Sequence, residues 1–230
     1  ANWGEPDCAG PETGGQNSPD AGVYIVDITG VDQAAPGTEP QQVGFIPSHQ
    51  DTRPGEGLQV VQISTAHFTG EVLAVNNEAC GKNAKGGVSL YDVTDPLNPK
   101  KLSENFGDRE PGSPDSNEIH SVFAWDAGDN AYVVVTDNEE ATDVDIFDIT
   151  NPHRPRLVGE YDLNAFEVQQ PDLGLTEAFL HDMVVKEIDG EFIMLLSYWD
   201  GGYVLLNVDD PANAVFLGDS EFAPVDPELL

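Results

Sequence analysis

The sequence predicts an all-β protein, a β-propeller of four-stranded antiparallel blades, and three observations predict it. A phrase recurs along the chain: "GVYIVDITG" from Gly22, "GVSLYDVTDPLNPKKL" from Gly87, "VDIFDITNPHRPRLVGEYDL" from Val144 and "GYVLLNVDDPANAVFLG" from Gly202. Each of the last three belongs to a unit of four short apolar runs, and Gln59, His120 and His181 open these units at intervals of 61 residues. Finally, helical periodicity is almost absent; "DLGLTEAFL" at 172–180 is the one candidate, for a turn or two. Four short strands per unit at this length fit a propeller blade; a solenoid coil is far shorter and a sandwich keeps no such period.

Taken in order, the chain opens with half a unit, "GVYIVDITG" and "QQVGFI", a third and a fourth strand without the first two. The first full unit runs "LQVVQISTAH", "GEVLAVNNEA", "GGVSLYDVT" and "KKLSENF". The second runs "HSVFAWDAG", "DNAYVVVTDN", "DVDIFDIT" and "PRLVGEYDL". The third runs "HDMVVKEIDG", "EFIMLLSYW", "GGYVLLNVD" and "AVFLGDSEF". The blades therefore span about 20–48 (half), 57–107, 119–163 and 180–222 of one segment, 1–230. Val133, Val134 and Val135 form an unalternating run, as in a strand covered on both faces. Ile146 alternates with Asp145 and Asp148, which predicts mixed exposure there.

The recurring phrase ends each third strand on an Asx residue followed by Pro96, Pro152 or Pro211. Proline fixes φ and removes a donor, so the ladder stops, and the Asx side chains can bond the turn backbone. The chain reverses into a short, charged fourth strand, as suits an edge. In the first copy "VDQAAPGTEP" stands where Asp-Pro is expected.

These phrases resemble the LVIVD-repeat proteins, a β-propeller family of secreted and cell-surface proteins, over almost the whole chain. The resemblance implies the fold and an extracellular setting but no single activity. A half blade and three full blades do not close a ring, which needs at least about four. The remainder is expected from a longer chain or another subunit.

Net charge is −33, from 42 acidic residues against nine Lys and Arg. That field repels nucleic acid and anionic lipid, and no run of about 20 apolar residues is present to span a membrane as a helix. Cations and basic surfaces are attracted, and the spread of the acidity suits a salty or extracellular medium. The opening "ANWGEP", with no Met or leader, fits a processed secreted protein or a chain whose beginning is missing. Cys8 and Cys80 sit in polar, Gly-rich loops with no other cysteine present, which predicts one disulfide in an oxidising compartment.

In a propeller the first strands line the channel, so Gln59, His120 and His181 are expected side by side at one mouth. Glu78, Glu139 and Asp200, with Asn76, Asn77, Asp137 and Asn138, are expected further out on the same face. Long connections ending there, 46–58, 105–119 and 161–180, mark it as the binding side. Two histidines in register, flanked by Glu118 and Asp182 and with Glu78, Glu139 and Asp200 as further candidate ligands, suit Zn or another transition ion. The alternative is that each imidazole bonds a neighbouring blade and plugs the channel. Calcium is the second cation candidate, from the oxygen-rich "NNEACGKN", "TDNEEATD" and "SYWDGG". Tyr198 and Trp199 at the mouth could stack a sugar or peptide, or pack between blades. His67 falls at the far end of its strand, and His49 and His153 in loops. No GxSxG, HExxH, Walker or dinucleotide pattern occurs, and Ser121 beside His120 does not make a triad. Two functions remain: a binding or scaffold module whose acidic mouth recognises a protein, glycan or cation, and a metal-dependent enzyme built on the histidines.

Overall fold

The computed structural model describes residues 21–31, 35, 37–48, 52–79, 86–107, 119–137, 143–163 and 178–220. They form four antiparallel sheets and no α-helix. The first sheet pairs β1 (Gly22–Asp27) with β2 (Gln41–Pro47). In the second, β3 (Thr52–Pro54) and β4 (Gln59–Ser64) share one side of β5 (Thr69–Ala79), followed by β6 (Gly87–Asp92) and β7 (Lys100–Phe106). The third is β8 (Ile119–Asp126), β9 (Ala131–Asp137), β10 (Asp143–Asp148) and β11 (Arg156–Asp162). The fourth is β12 (Leu180–Ile188), β13 (Glu191–Tyr198), β14 (Gly202–Asn207) and β15 (Val215–Asp219), with a 3-10 turn at Pro211–Asn213. The candidate helical turn at 172–180 lies outside the described residues up to 177, and Leu180 already belongs to β12.

The repeat has a physical basis at each third-strand end. Asp27, Asp92, Asp148 and Asn207 each accept, through Oδ1, the backbone N–H two residues on, at 2.7–3.0 Å. Asp95, Asn151 and Asp210 do the same one step later, at 3.1–3.2 Å. The residue between then reaches back to the second strand: Thr94 accepts from Glu71 N, Thr150 from Ala131 N and Asp209 from Phe192 N. These are Asx turns that satisfy backbone groups which the proline-terminated ladder leaves open. A β-bulge also recurs at one register in all four sheets, between Ile25/Val26, Leu90/Tyr91, Ile146/Phe147 and Leu205/Leu206. Bulges add twist, which keeps a stacked sheet from lying flat on its neighbour.

The core is three layers between successive sheets. Val23 and Ile46 meet Leu73, Val75 and Tyr91. Val72, Ala74 and Leu90 meet Val122, Val133 and Phe147. Val134, Val144 and Ile146 meet Leu180, Met194 and Leu196. The valine run of β9 therefore serves two layers, Val134 in one and Val133 and Val135 in the other. Asp145 corrects the expectation of mixed exposure on β10: it is only 2% exposed, because it shares with Phe147 the face turned to the preceding sheet. First strands of successive sheets touch, β4 with β8 and β8 with β12. Equivalent polar side chains tie the layers: Asn76 Nδ2 donates to Ile119 O at 2.7 Å, and Thr136 Oγ1 to Leu180 O at 3.2 Å.

Candidate metal centre

The pairing fixes which residues are equivalent. Val61, Trp125 and Lys186 pair with Val72, Tyr132 and Ile193, and these pair with Asp92, Asp148 and Asn207 of the recurring phrase. Five residues before Val61, Trp125 and Lys186 stand Glu56, His120 and His181. The histidines are thus in register, but their partner in the first full sheet is Glu56. Gln59 is not beside them: it pairs with Ala74, and its Oε1 accepts from Ala124 N at 2.9 Å. The interval of 61 holds between the equivalent Trp125 and Lys186, but Val61 and Trp125 stand 64 apart, because the first full sheet is longer between its first, second and third strands than the second full sheet, and only part of that is recovered in a shorter connection to the next first strand.

In all three sheets the first strand breaks its register at this point. The ladder slips between Ile119 and Ser121, and between Leu180 and Asp182, leaving His120 and His181 as the bulged residues. In the second sheet the interruption is the stretch Gly55–Leu58 between β3 and β4. Gly55 and Gly57 let that stretch lie against β8, and Glu56 N–H donates to His120 O at 2.9 Å. A bulge turns a side chain out of the alternation of its strand, and here three such turns converge. One ligand atom from each of Glu56, His120 and His181 lies within 4.8 Å of the other two. Glu56 Oε2 stands 3.7 Å from His181 Nε2, and the two imidazoles meet edge to face at 5.1 Å.

His120 is held from behind. Its Nδ1 donates to Glu78 Oε1 at 2.8 Å, and Arg53 Nε donates to Glu78 Oε2 at 2.7 Å. The Glu78 hydrogen bond raises the His120 pKa above the ordinary histidine value, against the opposing pull of burial and with help from the charges of Glu78, Glu56 and Asp182. Burial pushes Glu78 up, but the hydrogen bonds and charges of His120 and Arg53 outweigh it and hold its carboxyl below the usual range. With Nδ1 engaged, the lone pair His120 offers is on Nε2, and that atom is buried with no hydrogen-bond partner among the described residues. A buried imidazole nitrogen with no partner costs free energy unless something binds it.

Around the centre, Asn76 Nδ2 donates to His120 O at 2.6 Å, fixing the bulge from the β5 side, and Asn77 Nδ2 donates to Gly87 O and Ser89 Oγ. Ser121 Oγ donates to Asp182 Oδ1 at 3.1 Å rather than to a histidine. Phe179 lies edge-on to His120 at 5.5 Å. Tyr198 is buried in the core, where desolvation, with the charges of Asp143 and Asp162, pushes its hydroxyl pKa far up; it is the packing member of the aromatic pair. Trp199 is 56% exposed, stacked on His181 at 5.7 Å and 29° and touching Phe179 at 5.1 Å. Glu78, expected further out, is bonded directly to His120; Asp200 follows β13 in the turn to β14 and is not in the group of converging ligands. His153 Nδ1 meets Leu102 O at 3.2 Å, and His67 lies at the other end of β4. Cys8, Cys80, His49, Glu118, Asn138 and Glu139 lie outside the described residues.

Sequence reasoning missed Glu56, Arg53 and Phe179. Counting back from the Asx of each third strand through the strand pairing, rather than along the chain, is what finds Glu56. No family model matches the chain, and no curated protein matches it.

Proposed function

We propose that this protein binds a divalent transition-metal ion through Glu56, His120 and His181, and that this centre carries its function. The observation behind it is the buried Nε2 of His120, without a partner among the described residues, beside two further ligands, with Nδ1 held by a carboxylate. Two imidazoles and one carboxylate are a set that zinc or ferrous iron takes with coordination positions left open, whereas calcium prefers oxygens throughout. A tetrahedral ion with bonds of ~2.0–2.1 Å brings its ligand atoms to roughly 3.4 Å apart, against the 4.8 Å within which they lie here, a contraction of up to about 1.4 Å. Of the two functions, the metal-dependent one is therefore preferred to a plain scaffold. Trp199, exposed on the ligand His181, would flank whatever occupies the open position. Protein dialysed against zinc and then buffer is expected to hold one equivalent by elemental analysis, and His120→Ala none. Wild-type protein that holds no more metal than His120→Ala overturns the proposal.

We further take the sheets as successive blades of an LVIVD-type propeller, secreted or at the cell surface. Support comes from the shared bulge, the shared Asx turns and the touching first strands. A row on the fourth sheet adds to it. Phe123, Val134 and Ile146 of the third sheet pair side by side and pack against the fourth. Their equivalents Val184, Leu195 and Leu205 also pair side by side, with Val184 44% and Leu205 37% exposed. Such a face is built to receive another sheet of the repeat, from further chain or another subunit. A protein of these 230 residues is expected to self-associate in sedimentation despite its charge. A monodisperse monomer with a sharp, cooperative melt would count against the face being an interface.

A further inference from the structure

At the end of the strands opposite the metal centre, a cavity of about 400 Å³ opens between the second and third sheets. His67 reaches it from the turn between β4 and β5, Asn130 from the turn between β8 and β9, Asp148 from the end of β10, Asn151 and Arg154 from the connection of β10 to β11, and Arg156 from the start of β11. In a chain with nine Lys and Arg against 42 acids, two arginines against the single carboxylate of Asp148 on one cavity are a local reversal of charge. Arg156 Nη2 donates to Asp148 Oδ2 at 2.8 Å, and the guanidinium keeps further donors. The Arg154 guanidinium has no partner among the described residues, whereas Arg53 is paired with Glu78 and Lys101 with Glu104. Asn151 uses Oδ1 on His153 N, and Asn130 uses Oδ1 on Thr150, so both keep amide donors.

The repeat shows what the position of Arg154 does when only the turn is at stake. Asn98 and Asn213 stand there in the other units, and their Nδ2 donates to Asp95 and Asp210 at 2.8 and 2.9 Å. Arg154 forgoes that bond, faces Asn151 in place of the acid, and lines the cavity instead. We propose that this cavity binds a compact oxyanion, a phosphate or sulfate group. Arg154 and Arg156 supply the fork geometry that such oxygens take, and the amides of Asn130 and Asn151 and the His67 imidazole complete the cup. The rest of the net charge does not forbid this, because at physiological salt fields are screened over about 8 Å while contact pairs are not.

The test titrates the whole chain with inorganic phosphate, sulfate or phenyl phosphate against a constant background of potassium chloride, following the Arg Nε–H resonances. Saturable shifts of Arg154 and Arg156 at millimolar ligand are expected, with Arg154→Asn weakening binding at least ~10-fold. Arg154→Asn restores the residue of the other two units, so its fold and its zinc binding should be unchanged. Phenyl phosphate binding at least as tightly as phosphate assigns the cup to a group on a larger molecule; free ions binding more tightly assigns it to the ion. No saturation by any of the three, equal shifts with added chloride, or unweakened binding by Arg154→Asn overturns the proposal. If Arg154→Asn melts early, wild-type Arg154 and Arg156 resonances that stay still under phosphate overturn it equally.

Discussion

Alanine at Gly55 is expected to abolish zinc binding at concentrations that saturate the parent and to lower stability by about 1–3 kcal/mol. A Cβ at this position would press into Asn76 Nδ2 and stand 2.6 Å from His120 O. Those two atoms are already bonded to one another, and neither belongs to a side-chain end that can swing away freely, since Asn76 Nδ2 also holds Ile119 O. The backbone must give instead, and what it carries next is Glu56. Gly57 makes the same demand one step on, with φ +76° and a Cβ that would lie 2.6 Å from Ser121 Oγ. So the sequence Gly-Glu-Gly is a device for laying one carboxylate against a neighbouring strand. Denaturant melts and a zinc titration of Gly55→Ala check this. Parent-like zinc affinity would show that Glu56 reaches the histidines independently of the close approach.

The all-β architecture was legible because its cause is local and repeated. Each third strand ends in an Asx turn that the residues spell out, and Pro96, Pro152 and Pro211 mark the stop. His120 and His181 could be matched because the equivalent positions Trp125 and Lys186 of their sheets stand 61 residues apart, the same interval as the count along the chain. Glu56 could not, because the first full unit breaks its first strand in two and its equivalent position, Val61, stands 64 rather than 61 residues before Trp125, so a count along the chain lands on Gln59. The error was one of register, and in a strand register decides everything about where a side chain goes. Glu78, expected further out than the histidines, is met by the imidazole because His120 is the bulged residue of its strand. Arg53 carries no signal in sequence at all: its role depends on Glu78 being buried and needing a second donor. Likewise Arg154 carries no signal of its own, since Arg in a polar connection reads as solvated surface.

Glu78→Gln is expected to weaken zinc binding by about 10-fold and Glu78→Ala by about 100-fold, the span typical for carboxylates that support a metal-bound histidine. Glu78 does two things for His120. It accepts the Nδ1 proton, which fixes the tautomer and the ring plane, and its negative charge makes Nε2 a better donor to a metal. Gln keeps an acceptor oxygen for Nδ1–H but loses the charge, so the ring stays aimed and the donor weakens. Alanine loses both, and the ring is free to turn. Glu78 is a positioning residue, so the test needs a readout that mere packing would not move. The order Glu, Gln, Ala in zinc affinity is that readout. A purely structural role predicts instead that Gln and Ala lose affinity only in proportion to lost stability. Arg53 supplies the control. Arg53→Met removes a charged donor from Glu78 but leaves the His120 contact, so its carboxylate should become a stronger acceptor for Nδ1–H. Zinc affinity in Arg53→Met is therefore expected to hold, while stability falls by about 1–3 kcal/mol for a buried carboxylate left short of a partner. If Glu78→Gln binds zinc as tightly as the parent, or if Arg53→Met loses affinity as steeply as Glu78→Ala, Glu78 serves the fold rather than the metal.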